Sequence, residues 1–190
     1  METGKNDFMQ QYKTISLKLK KRFLRKPNLA EVSDQYSALG KQLQHQDCPH
    51  YAGMCSLAAA KCEQSMGNAA AEAQALAQGA RQFFAAEADT HALLCPSLDE
   101  HLAAAVHCFS RAVDLYVQLP EPALAAALCT EAGQCLRSID RAPLAMSFLQ
   151  RAVQLQSKVG VGALRYVTRR GGLHYSTLAG NRTPPMISSA

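Results

Sequence analysis

Cys48, Cys55 and Cys62 stand seven residues apart, with His45 and His50 on either side of the first. Cysteine and histidine are the usual zinc ligands, and a cysteine beside a histidine can act as a nucleophile. The spacing restricts both readings. Seven residues are two helical turns, so successive sulfurs on one helix lie about 10 Å apart. A zinc ion holds its ligands within about 2.3 Å, so this row cannot chelate by itself. No Cys-x2-Cys pair accompanies His45, Cys48 and His50 across a turn. Free cysteine also serves as a small apolar residue in helical cores. Cys108, Cys129 and Cys135, set among alanines and leucines, fit that role.

His101 and His107 precede Cys108, but no sequence for an oxyanion hole or a strained nucleophile turn accompanies them. Asp99-Glu100 falls at a helix start, where carboxylates complement the helix dipole. No phosphate-binding loop, Gly-x-Ser-x-Gly or His-Glu-x-x-His occurs. Gly160-Val161-Gly162 lacks the strand and helix of a dinucleotide fingerprint, and Asn181-Arg182-Thr183 has the glycosylation pattern without an export signal. The expectation is a chain with no catalytic residues, no metal, no cofactor and no small-molecule substrate.

Charge is the chemistry that remains. The 190 residues carry a net charge of +5, unevenly spread. Residues 1–26 hold eight Lys/Arg against Glu2 and Asp7, while the body from 27 to 159 is acidic on balance. Residues 160–190 add Arg165, Arg169, Arg170 and Arg182 with no acid. The densest run is LKLKKRFLRKPN, Leu17 to Asn28. Leu17 and Leu24 point into its cationic face, a combination suited to an acidic, partly apolar protein surface. The candidate partner-binding residues are therefore Leu17, Lys18, Lys20, Lys21, Arg22, Leu24, Arg25 and Lys26. A nuclear import signal, or a nuclear factor that uses this helix on nucleic acid, is the alternative. The acidic body and the lack of aromatics or Asn/Gln within the basic face speak against nucleic acid. A membrane surface would require the helix's apolar stripe to be free of the core.

The elements that would carry these residues are all helical. Hydrophobic residues make up 48% of the chain, mostly Ala and Leu, the strongest helix formers. Phe8, Tyr12, Ile15, Leu19 and Phe23 form one apolar stripe, predicting a basic first helix over 6–26 that Pro27 ends. Asn28 and Glu31 make a capping box for a second helix reaching about Gln46. Pro49 opens a third that Gly67 stops, and Asn68 caps a fourth reaching about His91. Ser97 and Glu100 read as a second capping box, for a fifth helix ending at Leu119-Pro120. Glu121-Pro122 opens a sixth, to about Ser138. Asp140 reads as the cap of a seventh, Arg141 to Lys158, with Gly160 ending it. Turns this short force antiparallel hairpins.

RAVDL at Arg111–Leu115 returns as RAVQL at Arg151–Leu155, and Ala105, Phe109 and Ala112 match Ala145, Leu149 and Ala152. Ala73, Ala77 and Ala80 repeat that spacing, and Gly133 lies twelve residues before Ala145. Small residues on one helix that admit the next are the logic of the tetratricopeptide (TPR) repeat. The reading is an all-α chain of about seven helices: antiparallel hairpins stacked as a degenerate TPR-like solenoid over 1–159, then a disordered basic tail over 160–190. No export signal or bilayer-length apolar run is present, and an odd number of cysteines, seven, points to a reducing compartment.

KLKKRFLRKPN at Lys18–Asn28, Ala30-Glu31, LGKQL at Leu39–Leu43 and RAVQLQ at Arg151–Gln156 resemble the forty-kilodalton huntingtin-associated protein family. The basic stretch carries most of that resemblance, which runs from about Phe8 to Ser157. It implies a helical scaffold that binds huntingtin, acts as effector of an early-endosomal Rab GTPase, and has no enzymatic activity. It places the chain in the cytoplasm and on early endosomes, and the import-like stretch adds the nucleus. Family members continue with further repeats after the region matching Gln156, where this chain turns into a Gly/Arg/Pro-rich segment. On the resemblance it reads as a shortened or alternative product, with an exposed solenoid end and lowered stability.

Overall fold

The computed structural model describes residues 8–20, 27–119 and 121–170, with side chains up to Ser157. Seven helices lie among the described residues: α1 (Phe8–Lys18), α2 (Leu29–His45), α3 (Pro49–Met66), α4 (Ala69–Ala92), α5 (Glu100–Gln118), α6 (Pro122–Ser138) and α7 (Ala142–Arg170). No strand occurs among the described residues. The main packing contacts join each helix to the next one along the chain, so the fold is an all-α array of antiparallel hairpins. That order is compatible with a TPR-like solenoid.

Starts and stops explain the array. Asn28 accepts a hydrogen bond from the Glu31 N–H at 3.3 Å, and Asn68 accepts one from the Ala71 N–H at 3.4 Å, so both asparagines cap as their positions predict. Pro49 and Pro122 occupy the first turns of α3 and α6. Four helices close in the same way. After α2, the Cys48 N–H reaches the Leu43 carbonyl while the Asp47 N–H reaches that of Gln44. The same pair of bonds ends α3 at Gly67, α4 at Leu94 and α6 at Asp140, each with its turn residue at positive φ. Only one of the four is glycine.

Leu94 shows what that costs. It is held at φ 53° and is 88% exposed, so its side chain returns little packing for a left-handed backbone. Leu94→Gly is expected to stabilise the fold by about 1 kcal/mol, because glycine adopts this conformation without steric penalty. A urea denaturation midpoint that stays put or falls would contradict this.

Several boundaries differ from expectation. α1 ends at Lys18, not Lys26, where the Leu19 and Lys20 N–H groups bond back three residues and tighten the turn. The rest of the 6–26 prediction, residues 21–26 and the first two positions, lies outside the described residues. The Ser97–Glu100 box does not form. Asp99 is the residue before α5, and Ser97 Oγ instead donates to buried Glu87 and accepts from the Asp99 N–H. Asp140 is not the cap of α7; its positive φ closes α6. Nor does Gly160 end α7, which continues to Arg170. A helical glycine costs only about 1 kcal/mol, and the positive-φ turn that would stop the helix is not formed at Gly160. The expected tail is thus helical from 160 to 170, and residues 171–190 lie outside the described residues.

The largest cluster of buried residues runs from α3 to α7 along the small-residue seams. Ala73, Ala80, Ala105, Ala112, Ala145 and Ala152 are all buried, as their repeat spacing requires. At Gly133 an added Cβ would lie 2.6 Å from Leu149 Cγ and 3.3 Å from the Ala145 carbonyl oxygen. Helix α7 therefore seats against α6 because position 133 has no side chain. Helices two apart are tied by polar and ring contacts. Arg81 on α4 donates twice to Glu131 on α6, at 2.5 and 2.8 Å. Arg151 on α7 donates to Asp114 on α5 at 2.5 Å, and Arg141, just before α7, pairs with Asp99. Phe109 on α5 meets Phe148 on α7 edge-on, with centroids 6.5 Å apart.

Candidate protein-interaction surface

Helix α1 is the least integrated element, with no fully buried residue. It rests on α2 and α3 through aromatic contacts: Phe8 stacks on Tyr51 at 4.3 Å, and Tyr12 meets Tyr36 at 5.1 Å. Tyr36 is buried, and burial pushes its phenol up to about 12. The predicted stripe of Phe8, Tyr12, Ile15 and Leu19 thus faces inward, and the charged side faces out.

Of the eight candidate partner-binding residues, the described ones are Leu17, Lys18 and Lys20. Leu17 is 44% exposed, as its place in the cationic face requires, and Lys20 is exposed. Lys18 is engaged within the chain. Its ammonium donates to Gln35 Oε1 at 2.9 Å and lies 3.5 Å from Glu31 on α2. An exposed pair of this kind contributes about 0–1 kcal/mol, so it orients α1 more than it holds it. Lys21, Arg22, Leu24, Arg25 and Lys26 lie outside the described residues.

Four of the seven cysteines pack in the interior. Cys55, Cys62, Cys108 and Cys129 are buried, and Cys48 stands just before α3, its thiol donating to the Gln46 carbonyl. Burial pushes the Cys55 thiol up to about 12 and that of Cys108 to about 11, away from the thiolate that nucleophilic attack requires. Among the described residues no group of three His, Cys, Asp or Glu side chains is placed to hold a metal ion. His50 approaches His101 across α3 and α5 at 6.0 Å, and its pKa is lowered by burial first and then by His101. No helix among the described residues is long and apolar enough to cross a membrane.

Two grooves flank α3. One, of about 440 Å³, is polar and lies between α2 and α4, with Ser33, Lys41, Gln44, Gln74, Gln78 and Gln82 among its walls. The other, of about 800 Å³, runs over the opposite face of α3 between α1 and α5. Tyr12, Met54, Leu57 and Leu76 give it apolar walls, and Lys61, His107 and Arg111 stand on its rim. The sequence reading missed this second groove. Its signal was present: Met54, Leu57, Lys61 and Gln64 follow helical spacing on a face distinct from buried Ala52, Cys55, Ala59 and Cys62.

The described residues thus form an all-α array of antiparallel hairpins with grooves on either side of α3 and an exposed Leu17 and Lys20 at the end of the first helix. Over 151 residues, 78% of its length, the chain is 44% identical to the 40-kDa huntingtin-associated proteins of Rattus norvegicus and Mus musculus. Over that stretch the chain is similar to this family. The chain spans about 40% of the length of these relatives. No family model matches it.

Proposed function

We propose that the chain is a non-enzymatic scaffold that binds huntingtin. The observation that carries this reading is the 44% identity to two proteins named for their association with huntingtin. The hairpin array supports it, because such arrays act by presenting surface rather than reactive groups. The raised thiol pKa values at Cys55 and Cys108 support the non-enzymatic part. The finer role, that of a Rab GTPase effector on early endosomes with cytoplasmic and nuclear pools, follows from the family resemblance of the basic stretch and the helix order.

The proposed contact is electrostatic and partly apolar. Leu17, Lys20 and the sequence Lys21-Arg22 that follows meet an acidic surface of the partner. Reversing Lys20, Lys21 and Arg22 to glutamate together is expected to weaken huntingtin binding about tenfold at low salt and to flatten its salt dependence. Lys41→Glu, on the polar-groove side of α2, serves as the control of equal charge change. Pull-down of purified huntingtin at graded salt reads the result, and a triple variant that binds like the control sinks the site assignment.

A further inference from the structure

We propose that the groove between α1 and α5 is a docking site for an acidic amphipathic helix of a partner protein. The proposal stands apart from the huntingtin reading, because it rests on the shape and charge of this groove. The floor is the outward face of α3, from Met54 to Gln64. Ten residues of helix rise about 15 Å, so the floor can seat roughly three turns of a second helix lying along it. One wall is Tyr12 and Ser16 of α1 with Leu19 just past its end, and the other is His107 and Arg111 of α5. Met54 is 40% exposed on the floor, Leu57 is half-buried beside it, and Leu76 closes the depth. This is the apolar trough that amphipathic helices use, with a methionine able to adapt to the incoming side chains.

The charge on the rim selects among such helices. Lys61, His107 and Arg111 border the apolar floor, and Lys61 makes no ion pair among the described residues. Glu72 is the acidic lining residue, and it is already committed: its carboxylate accepts from Arg111 at 3.3 Å and from Gln64 at 3.2 Å. An occupant with carboxylates along the edge of its apolar stripe that faces Lys61 and α5 complements this rim, whereas a basic one would bring like charge against Lys61.

The test uses two labelled 18-residue peptides that share leucines at i, i+3, i+4 and i+7 spacing. One carries glutamates along both edges of the stripe and the other lysines. Fluorescence anisotropy on the purified 190-residue chain is expected to show the acidic peptide binding at least about tenfold more tightly. Met54→Asp and Lys61→Glu should each weaken the acidic peptide about tenfold, Lys61→Gln should fall between, and Lys41→Glu on the other groove should change nothing. Lys61 and Met54 are exposed, so unchanged far-UV spectra are expected for their variants. Equal binding of the two peptides, no binding at about 100 µM (a Kd weaker than roughly −5 kcal/mol of affinity), or indifference to Lys61→Glu would overturn the proposal. The readout is independent of huntingtin, so it separates failure of the groove from failure of the family reading.

Discussion

Gly133→Leu is expected to cost about 3 kcal/mol and to unseat α7 from α6. A Cβ at this position already falls 2.6 Å from Leu149 Cγ and 2.7 Å from one Leu149 methyl carbon. Both are well inside van der Waals contact, and the leucine side chain adds three more carbons beyond that point. Leu149 can rotate away, but the Ala145 carbonyl, 3.3 Å off, belongs to the backbone of α7 and moves only with the helix. Gly133→Ala should cost less, since the overpacking is offset by about 1 kcal/mol of improved helix propensity. Pairing each variant with Leu149→Ala should restore part of the loss, which makes this a double-mutant cycle with a positive coupling. Urea denaturation followed by helical circular dichroism reads all four. A Gly133→Leu midpoint equal to that of the parent would show that α7 does not rest on this position.

Phe109→Ala should be the most costly truncation, at about 3–5 kcal/mol. Phe109 is 1% exposed, the largest side chain of α5 to be so fully enclosed, and it packs within the cluster that joins α3 through α7. Its ring meets Phe148 edge-on at 72°, so truncation removes an aromatic pair together with the transfer energy of the ring. The surrounding helices are held by Ala112, Ala145 and Ala152 in close backbone approach, which leaves them little freedom to collapse into the void. Phe8→Ala offers the contrast. That residue lies half-buried on α1, and its loss should free α1 locally while the main transition hardly moves. Hydrogen exchange distinguishes the two: protection should fall across α5 to α7 for Phe109→Ala and only in α1 for Phe8→Ala. A Phe109→Ala variant within about 1 kcal/mol of the parent would mean that the cluster repacks around the gap.

Much of the array was legible in the residue order. Asn28, Pro49, Gly67, Asn68 and Pro122 act on the nearest few residues, and each does in the structure what its type predicts. The alternation of small and large residues from Ala73 to Ala152 likewise announced which side of α4, α5 and α7 would be buried. The failures share a cause. Asp47, Leu94 and Asp140 take a left-handed turn that glycine usually marks, so no local signal distinguished them. Ser97 looked like a cap, yet its hydroxyl is drawn to Glu87 on the preceding helix, ten residues away. The contact of Lys18 with α2 was likewise invisible in the residue order, and it leaves the side chain exposed.

The sequence alone determined the helical class, the order of the hairpins, the burial of Cys55, Cys62, Cys108 and Cys129 and the inward stripe of Phe8, Tyr12, Ile15 and Leu19. All of these follow from period, propensity and caps, which act over a turn or two of chain. Tertiary structure alone decided which surfaces remain open. Whether Met54, Leu57 and Lys61 form a groove or a covered seam depends on where α1 and α5 come to rest on either side of α3, and α1 and α5 stand more than eighty residues apart in the chain. Long-range placement is set by the sum of many small seams, the closest of them at Gly133, and no single stretch of residues records that sum.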